Sequence, residues 1–243
     1  MSDFNTFEKL GESCEICVTK EHTFGTDAFL LADFAKARHK DIVCDLGTGC
    51  GIIAVLMRLR YEPKQVYGVD IQPQAIEQFE LTVSRSGLKE TYPLLMDLKA
   101  LTNDAPLGRC DLVTCNPPYK AAKAGIESEL SAHKIARHEI LCNISDVCAA
   151  GNKLLKYGGR LCLCNRPERL ADVMCAMREN GIEPKYLRFV SKSANDAPWL
   201  FLIEGRKGGG PFMQVLPQLY ISGSGGISPE LAQIYGKTDE RTE

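Results

Sequence analysis

The stretch "DIVCDLGTGCG", residues 41–51, joins a short apolar run to a loop with glycine at every second position. The run Asp41–Asp45 has the length and composition of a buried strand, and "IIAVLMRLR" (52–60) behind the loop has helical spacing. Gly47, Gly49 and Gly51 therefore fall at a strand-to-helix turn. Lacking side chains, they let the backbone turn sharply and let a ligand approach it closely. The helix start behind them offers unpaired N–H groups.

The alternation continues outward from this turn. "QVYGVD" (65–70) is a second strand ending in an acid, and Pro73 opens a helix that Gly87 closes. "YPLLMD" (92–97) is a third strand, and "CDLVTC" (110–115) a fourth that runs into Asn116. The pattern then predicts an amphipathic helix over 137–157 closed by Gly158-Gly159, a fifth strand "RLCLCN" (160–165), and a helix from Pro167 to Asn180-Gly181. "PKYLRFVSK" (184–192) and "PWLFLIEGRK" (198–207) read as an antiparallel pair. Strands interleaved with helices of this length require a parallel sheet covered on both faces. Right-handed crossovers make it doubly wound. The expectation is a Rossmann-like α/β sheet of seven strands, mostly parallel, with an antiparallel last strand. The whole chain, 1–243, reads as a single domain: an N-terminal cap segment (1–40), a core (41–205) and a C-terminal tail (206–243).

Composition narrows the class. Hydrophobic residues make up 44% and charged ones 25%, ordinary values for a globular domain. A net charge of −2 excludes a globally basic nucleic-acid protein, so any such surface must be a local patch. Eleven cysteines are scattered through apolar strands and helices as small hydrophobes would be, with no basic-then-apolar leader ahead of them. Free thiols in a reducing cytoplasm are expected. Cys14-x-x-Cys17 lacks a second pair, so no metal is expected. No apolar run reaches the ~20 residues a membrane span needs.

The loop spacing is G-x-G-x-G, with Asp45 two residues ahead of it. A carboxylate there opposes a pyrophosphate and suits a ligand carrying an ammonium or sulfonium, which favours S-adenosyl-L-methionine over a dinucleotide. Asp70 ends the second strand, where an acid accepts from ribose hydroxyls. Asp97 ends the third and suits an adenine amino group. As an alternative reading, either acid caps a helix.

"NPPY", Asn116-Pro117-Pro118-Tyr119, follows the fourth strand. An exocyclic amine on a planar base is a poor nucleophile because its lone pair is delocalised. The Asn116 side-chain oxygen and the Pro117 carbonyl would accept its two N–H bonds and aim the lone pair at a methyl group. Proline at 117 has a fixed φ and no competing N–H. Tyr119 offers a face on which a base stacks. The bland alternative is a strand-ending turn.

At these residues the sequence resembles class I S-adenosylmethionine-dependent methyltransferases. "DLGTGCG" looks like their cofactor loop and "NPPY" like their amino-methylating loop. With "FGTDAFLLADFA" (24–35), "ARHE" (136–139) and "GGRLCLCNRPERL" (158–170), the chain is similar to the bacterial tRNA (adenine-N6)-methyltransferases that act at position 37 of a valine tRNA. The resemblance implies that Thr26 and Asp27 close over the cofactor, with Thr48, Ile71 and Leu98 beside it; the alternative reading of Thr26 and Asp27 is a helix N-cap. The resemblance also implies that Lys120, Arg137 and His138 lie at the substrate channel, the alternative for Arg137 and His138 being a solvated helix face. Arg166 and Arg169 follow the fifth strand and either meet tRNA phosphate or are exposed charges. Lys123 and Lys134 add positive charge beside the catalytic loop. A monomer is expected. NPPY also occurs in glutamine methyltransferases of translation release factors, which carry an extra helical domain, and in DNA adenine and guanine-N2 rRNA methyltransferases. A fold of this kind that binds the cofactor without catalysis is a further alternative.

Overall fold

The computed structural model describes residues 5–11, 13–20, 22–101, 107, 109–117, 143–223 and 226–236. A hairpin of β1 (Thr6–Lys9) and β2 (Glu15–Val18) leads into α1 (Thr26–Ala35). Then follow β3 (Ile42–Leu46), α2 (Ile52–Tyr61), β4 (Gln65–Asp70), α3 (Pro73–Arg85), β5 (Thr91–Leu95) and β6 (Cys110–Cys115). The second half holds α4 (Ile144–Leu154), β7 (Leu155–Asn165), α5 (Leu170–Glu179), β8 (Ile182–Ser191) and β9 (Leu200–Lys207). The chain continues through four two-residue strands, β10 (Gln214–Val215), β11 (Leu219–Tyr220), β12 (Ser222–Gly223) and β13 (Gly226–Ile227), to α6 (Pro229–Ile234).

Seven long strands form the expected sheet in the order β5-β4-β3-β6-β7-β9-β8. All pairs are parallel except those of β9, which runs antiparallel to both β7 and β8. β10 and β11 extend the edge, each parallel to β8. Successive side chains on a strand point to opposite faces. Val43, Leu112 and Cys162 accordingly join one apolar cluster with α1 and α2. Their neighbours Cys44, Val113 and Leu163 join another with α4 and α5. Nine of the ten described cysteines are buried and none is in a disulfide, so they serve as core atoms.

One predicted boundary moves. The expected helix over 137–157 begins outside the described residues, and its end lies earlier than the glycine pair. α4 stops at Leu154, and Leu155 already pairs with Cys110 as the first residue of β7. The ladder then shifts so that Arg160 faces Leu112, placing Gly158, at φ +79°, within an irregular strand.

The chain passes from β3 outward through β4 and β5, then returns to lay β6 on the other side of β3. The order reverses between β3 and β6. In doubly wound sheets the crevice beyond the strand ends at such a reversal is where ligands bind. The glycine loop and Asn116 leave the sheet there, Leu46 being paired with Cys115.

Candidate active site

Asp45 sits one residue before the end of β3 and is almost fully buried. Its two oxygens accept the hydroxyls of Thr48 (2.8 Å) and Thr114 (2.7 Å). Burial pushes this carboxyl up to about 7, while the hydrogen bonds from Thr114 and Thr48 pull the other way. Asp45 thus stands behind the glycine loop and locks Thr48 to the sheet. Thr48 N–H donates to the Val69 carbonyl at 3.0 Å, tying the loop to β4. Gly47 and Gly49 have φ of +65° and +56°, and a Cβ on either would project into open space. Gly51 and Gly68 are needed for a different reason: a Cβ on either would overlap the Phe79 ring.

Asp70 ends β4, and its oxygens accept the Gly49 N–H and the Gln72 N–H, each at 2.9 Å. It braces the loop from the side. Ile71 beside it is 49% exposed. Asp97, two residues past β5, caps a short turn by accepting the Lys99 N–H at 2.9 Å. Leu98, next to it, is half-buried.

Asn116 is half-buried just beyond β6. Its Nδ2 donates to Asp27 Oδ2 at 3.0 Å. Its Oδ1 accepts the Cys164 thiol, also at 3.0 Å. Asp27 belongs to the first turn of α1, and its Oδ1 accepts the Ala28 N–H at 3.0 Å. Thr26, one residue earlier, is hydrogen-bonded to the Tyr235 hydroxyl at 2.7 Å. Gly25 leaves room for the carboxylate, since a Cβ there would lie 2.8 Å from Asp27 Oδ1.

The methyltransferase small domain model matches residues 19–166, a span that holds the glycine loop, Asp70 and Asn116. The chain belongs to the methyltransferase small domain family. Among curated proteins it is similar to the tRNA1(Val) (adenine(37)-N6)-methyltransferase of Histophilus somni, with 29% identity over 158 residues covering 64% of each chain. The protein of that name from Aeromonas salmonicida is 26% identical over 204 residues, 83% of each chain. The matched region spans just under two thirds of the first such relatives, 64% of the Histophilus protein and 60% of a Porphyromonas gingivalis one. Solved structures share the fold. A predicted O-methyltransferase from Agrobacterium tumefaciens superposes with TM-score 0.67 at 18% identity, covering 87% of this chain and 96% of that one. TYW2 from M. jannaschii in complex with AdoMet superposes with TM-score 0.57 at 16% identity, covering 85% and 87%.

The cofactor of this methyltransferase family is S-adenosyl-L-methionine, and the residues present fit it. The two left-handed glycines leave open space over the loop, and Asp70 and Asp97 follow adjacent strands, with Asp70 paired to Leu95. Ile71, next to Asp70, is an exposed apolar side chain, of the kind a flat ring packs on. Of the expected substrate residues, Arg166 lies 5.7 Å over the Trp199 ring and donates to its carbonyl at 3.2 Å. Arg169 is exposed and paired with Asp172 at 2.9 Å. Pro118, Tyr119, Lys120, Lys123, Lys134, Arg137 and His138 lie outside the described residues.

Sequence reasoning missed Thr114 and Cys164. Each is a polar or thiol group inside an apolar strand, one flanking Asp45 and the other Asn116. The lone hydroxyl in "CDLVTC" was the available signal for Thr114. Nothing in the sequence signals Tyr235.

Proposed function

We propose that this protein transfers the methyl group of S-adenosyl-L-methionine to the N6 amino group of an adenine in tRNA, at position 37 of a valine tRNA. The observation that carries this reading is the orientation of Asn116. With Nδ2 donating to Asp27, Oδ1 is the acceptor of this amide, and beyond the bond from the Cys164 thiol it keeps a second lone pair for a donor. A primary amine on a flat ring is a donor of that kind. The names of the curated relatives support the same substrate.

Gly47, Thr48, Gly49 and Gly51 would hold the cofactor's methionine end, Asp70 its ribose, and Asp97, Ile71 and Leu98 its adenine. Bound there, it supplies a methyl carbon made electrophilic by a positively charged sulfur. Asn116 Oδ1 and the Pro117 carbonyl accept the two N–H bonds of the target amine. That grip favours the pyramidal nitrogen whose lone pair is free to attack, and positioning of this sort accounts for much of such a rate. The same two oxygens stabilise the cationic nitrogen until it sheds a proton to water. No strong base is required. Tyr119 stacks on the target base, Lys120, Arg137 and His138 line its approach, and Arg166 and Arg169 meet the backbone. We place the protein in the cytoplasm, acting as a monomeric single domain.

The test is nucleoside mass spectrometry of tRNA incubated with the protein and methyl-labelled cofactor. N6-methyladenosine is the expected product, mapped to position 37. Label in a methylated guanine, or in the glutamine of a release factor and not in RNA, overturns the assignment.

A further inference from the structure

We propose that Asp27 is a positioning residue that fixes which way the Asn116 amide points, so that an acceptor and not a donor meets the target amine. The inference rests on the functional reading above and deepens it.

An asparagine amide is nearly symmetric in shape, and a flip exchanges its acceptor for two donors. Turned the wrong way, Asn116 would set N–H against N–H. Asp27 forbids that turn. Its Oδ1 is held by the Ala28 N–H and its Oδ2 lies 3.0 Å from Asn116 Nδ2. A carboxylate offers only acceptors, so an oxygen of Asn116 in that place would face oxygen. On the other side the Cys164 thiol donates to Oδ1, agreeing with the same orientation. The first turn of a helix is also where a negative charge is favoured, and Asp27 is the acidic residue of that turn in α1. A second effect follows from the bond itself. Donating to a carboxylate polarises the amide and makes Oδ1 a stronger acceptor, as hydrogen bonds in a chain reinforce one another. That oxygen is the one that must stabilise a nitrogen becoming cationic.

The carbonyl of an asparagine at 27 would stay on the Ala28 N–H, leaving its NH2 facing Asn116. Asp27→Asn should therefore invert the Asn116 amide. Turnover on tRNA at saturating cofactor should fall by on the order of 100-fold, with the KM for tRNA within about threefold of wild type. The swapped pair Asp27→Asn/Asn116→Asp restores donor-to-carboxylate pairing in reverse and leaves a carboxylate oxygen for the substrate. It should recover at least about tenfold over Asp27→Asn alone, which a residue with a merely structural role would not do. Independently of turnover, the Asn116 side-chain amide protons of the wild-type protein should show slow exchange by NMR. Turnover of Asp27→Asn within about twofold of wild type, no recovery in the swapped pair, or fast-exchanging Asn116 amide protons would each overturn the proposal. A wild-type protein that methylates no tRNA yet keeps a locked Asn116 amide would instead sink the substrate reading and leave the positioning role standing.

Discussion

Asp45 carries a charge problem that its neighbours only partly solve. Burial raises its carboxyl to about 7, against roughly 3.9 for an aspartate in an unfolded chain. Between those values the folded protein binds a proton that the unfolded chain does not. Stability from this group is therefore complete below about pH 4 and is lost as pH rises through 7. The slope reaches about 1.4 kcal/mol per pH unit within that window. Asp45→Asn cannot titrate, so its stability should lack this fall. Urea unfolding at pH 5 and pH 8 should give a wild-type loss larger than the variant's by on the order of 2–3 kcal/mol. Equal losses would mean that the carboxyl is not desolvated as its burial implies. The acid itself was legible in "DLGTGCG", but its partners were not. Thr114 lies 69 positions away, and only the pairing of β3 with β6 brings its hydroxyl to Asp45.

At the scale of elements, the readable parts were those with a local signature. β3 carries its acid one residue before its end, β4 ends at Asp70, β6 runs into Asn116, and α3 carries proline at its first position. The end of α4 lacked such a mark. Val147, Cys148, Ala150 and Leu154 set a helical spacing that Leu155 continues, yet Leu155 is buried in the sheet. Periodicity reports that a side chain is buried, not which element carries it. How α1 is fastened to the sheet was also invisible in sequence. Arg160 of β7 donates to the Ala35 carbonyl (2.7 Å), the Lys36 carbonyl (3.2 Å) and Glu204 of β9 (3.1 Å). Both side chains of that ion pair are mostly buried, at 13% and 8% exposure. Removing one partner strands the other charge in a poor solvent. Arg160→Met should cost about 3–5 kcal/mol in denaturant unfolding, and Arg160→Met/Glu204→Leu should recover most of it. If the double variant is no more stable than the single, the loss comes from the freed Ala35 and Lys36 carbonyls and from Asp41, 3.6 Å from Arg160, and not from Glu204.

For the whole molecule the governing quantity is charge. A chain with net charge −2 meets a polyanion only through local cations. Among the described residues near the end of β7, Arg166 is engaged with Trp199 and Arg169 with Asp172, so few of the described cations there are not already held. The proposed RNA partner should then be bound through a small number of phosphates, with shape and base contacts providing the rest. Each neutralised phosphate of a single strand contributes about −0.7 to the slope of log affinity against log salt. With roughly two to four such contacts, raising salt from 50 to 200 mM should weaken tRNA binding by about 7–50-fold. Proteins with six to ten contacts lose about 10³-fold or more over the same range. Arg166→Gln and Arg169→Gln should each flatten the slope by about 0.7 while leaving cofactor affinity unchanged, as measured by calorimetry. A slope of about −5 or steeper would require a basic surface that these two arginines do not supply, and would move the principal RNA contact away from the end of β7.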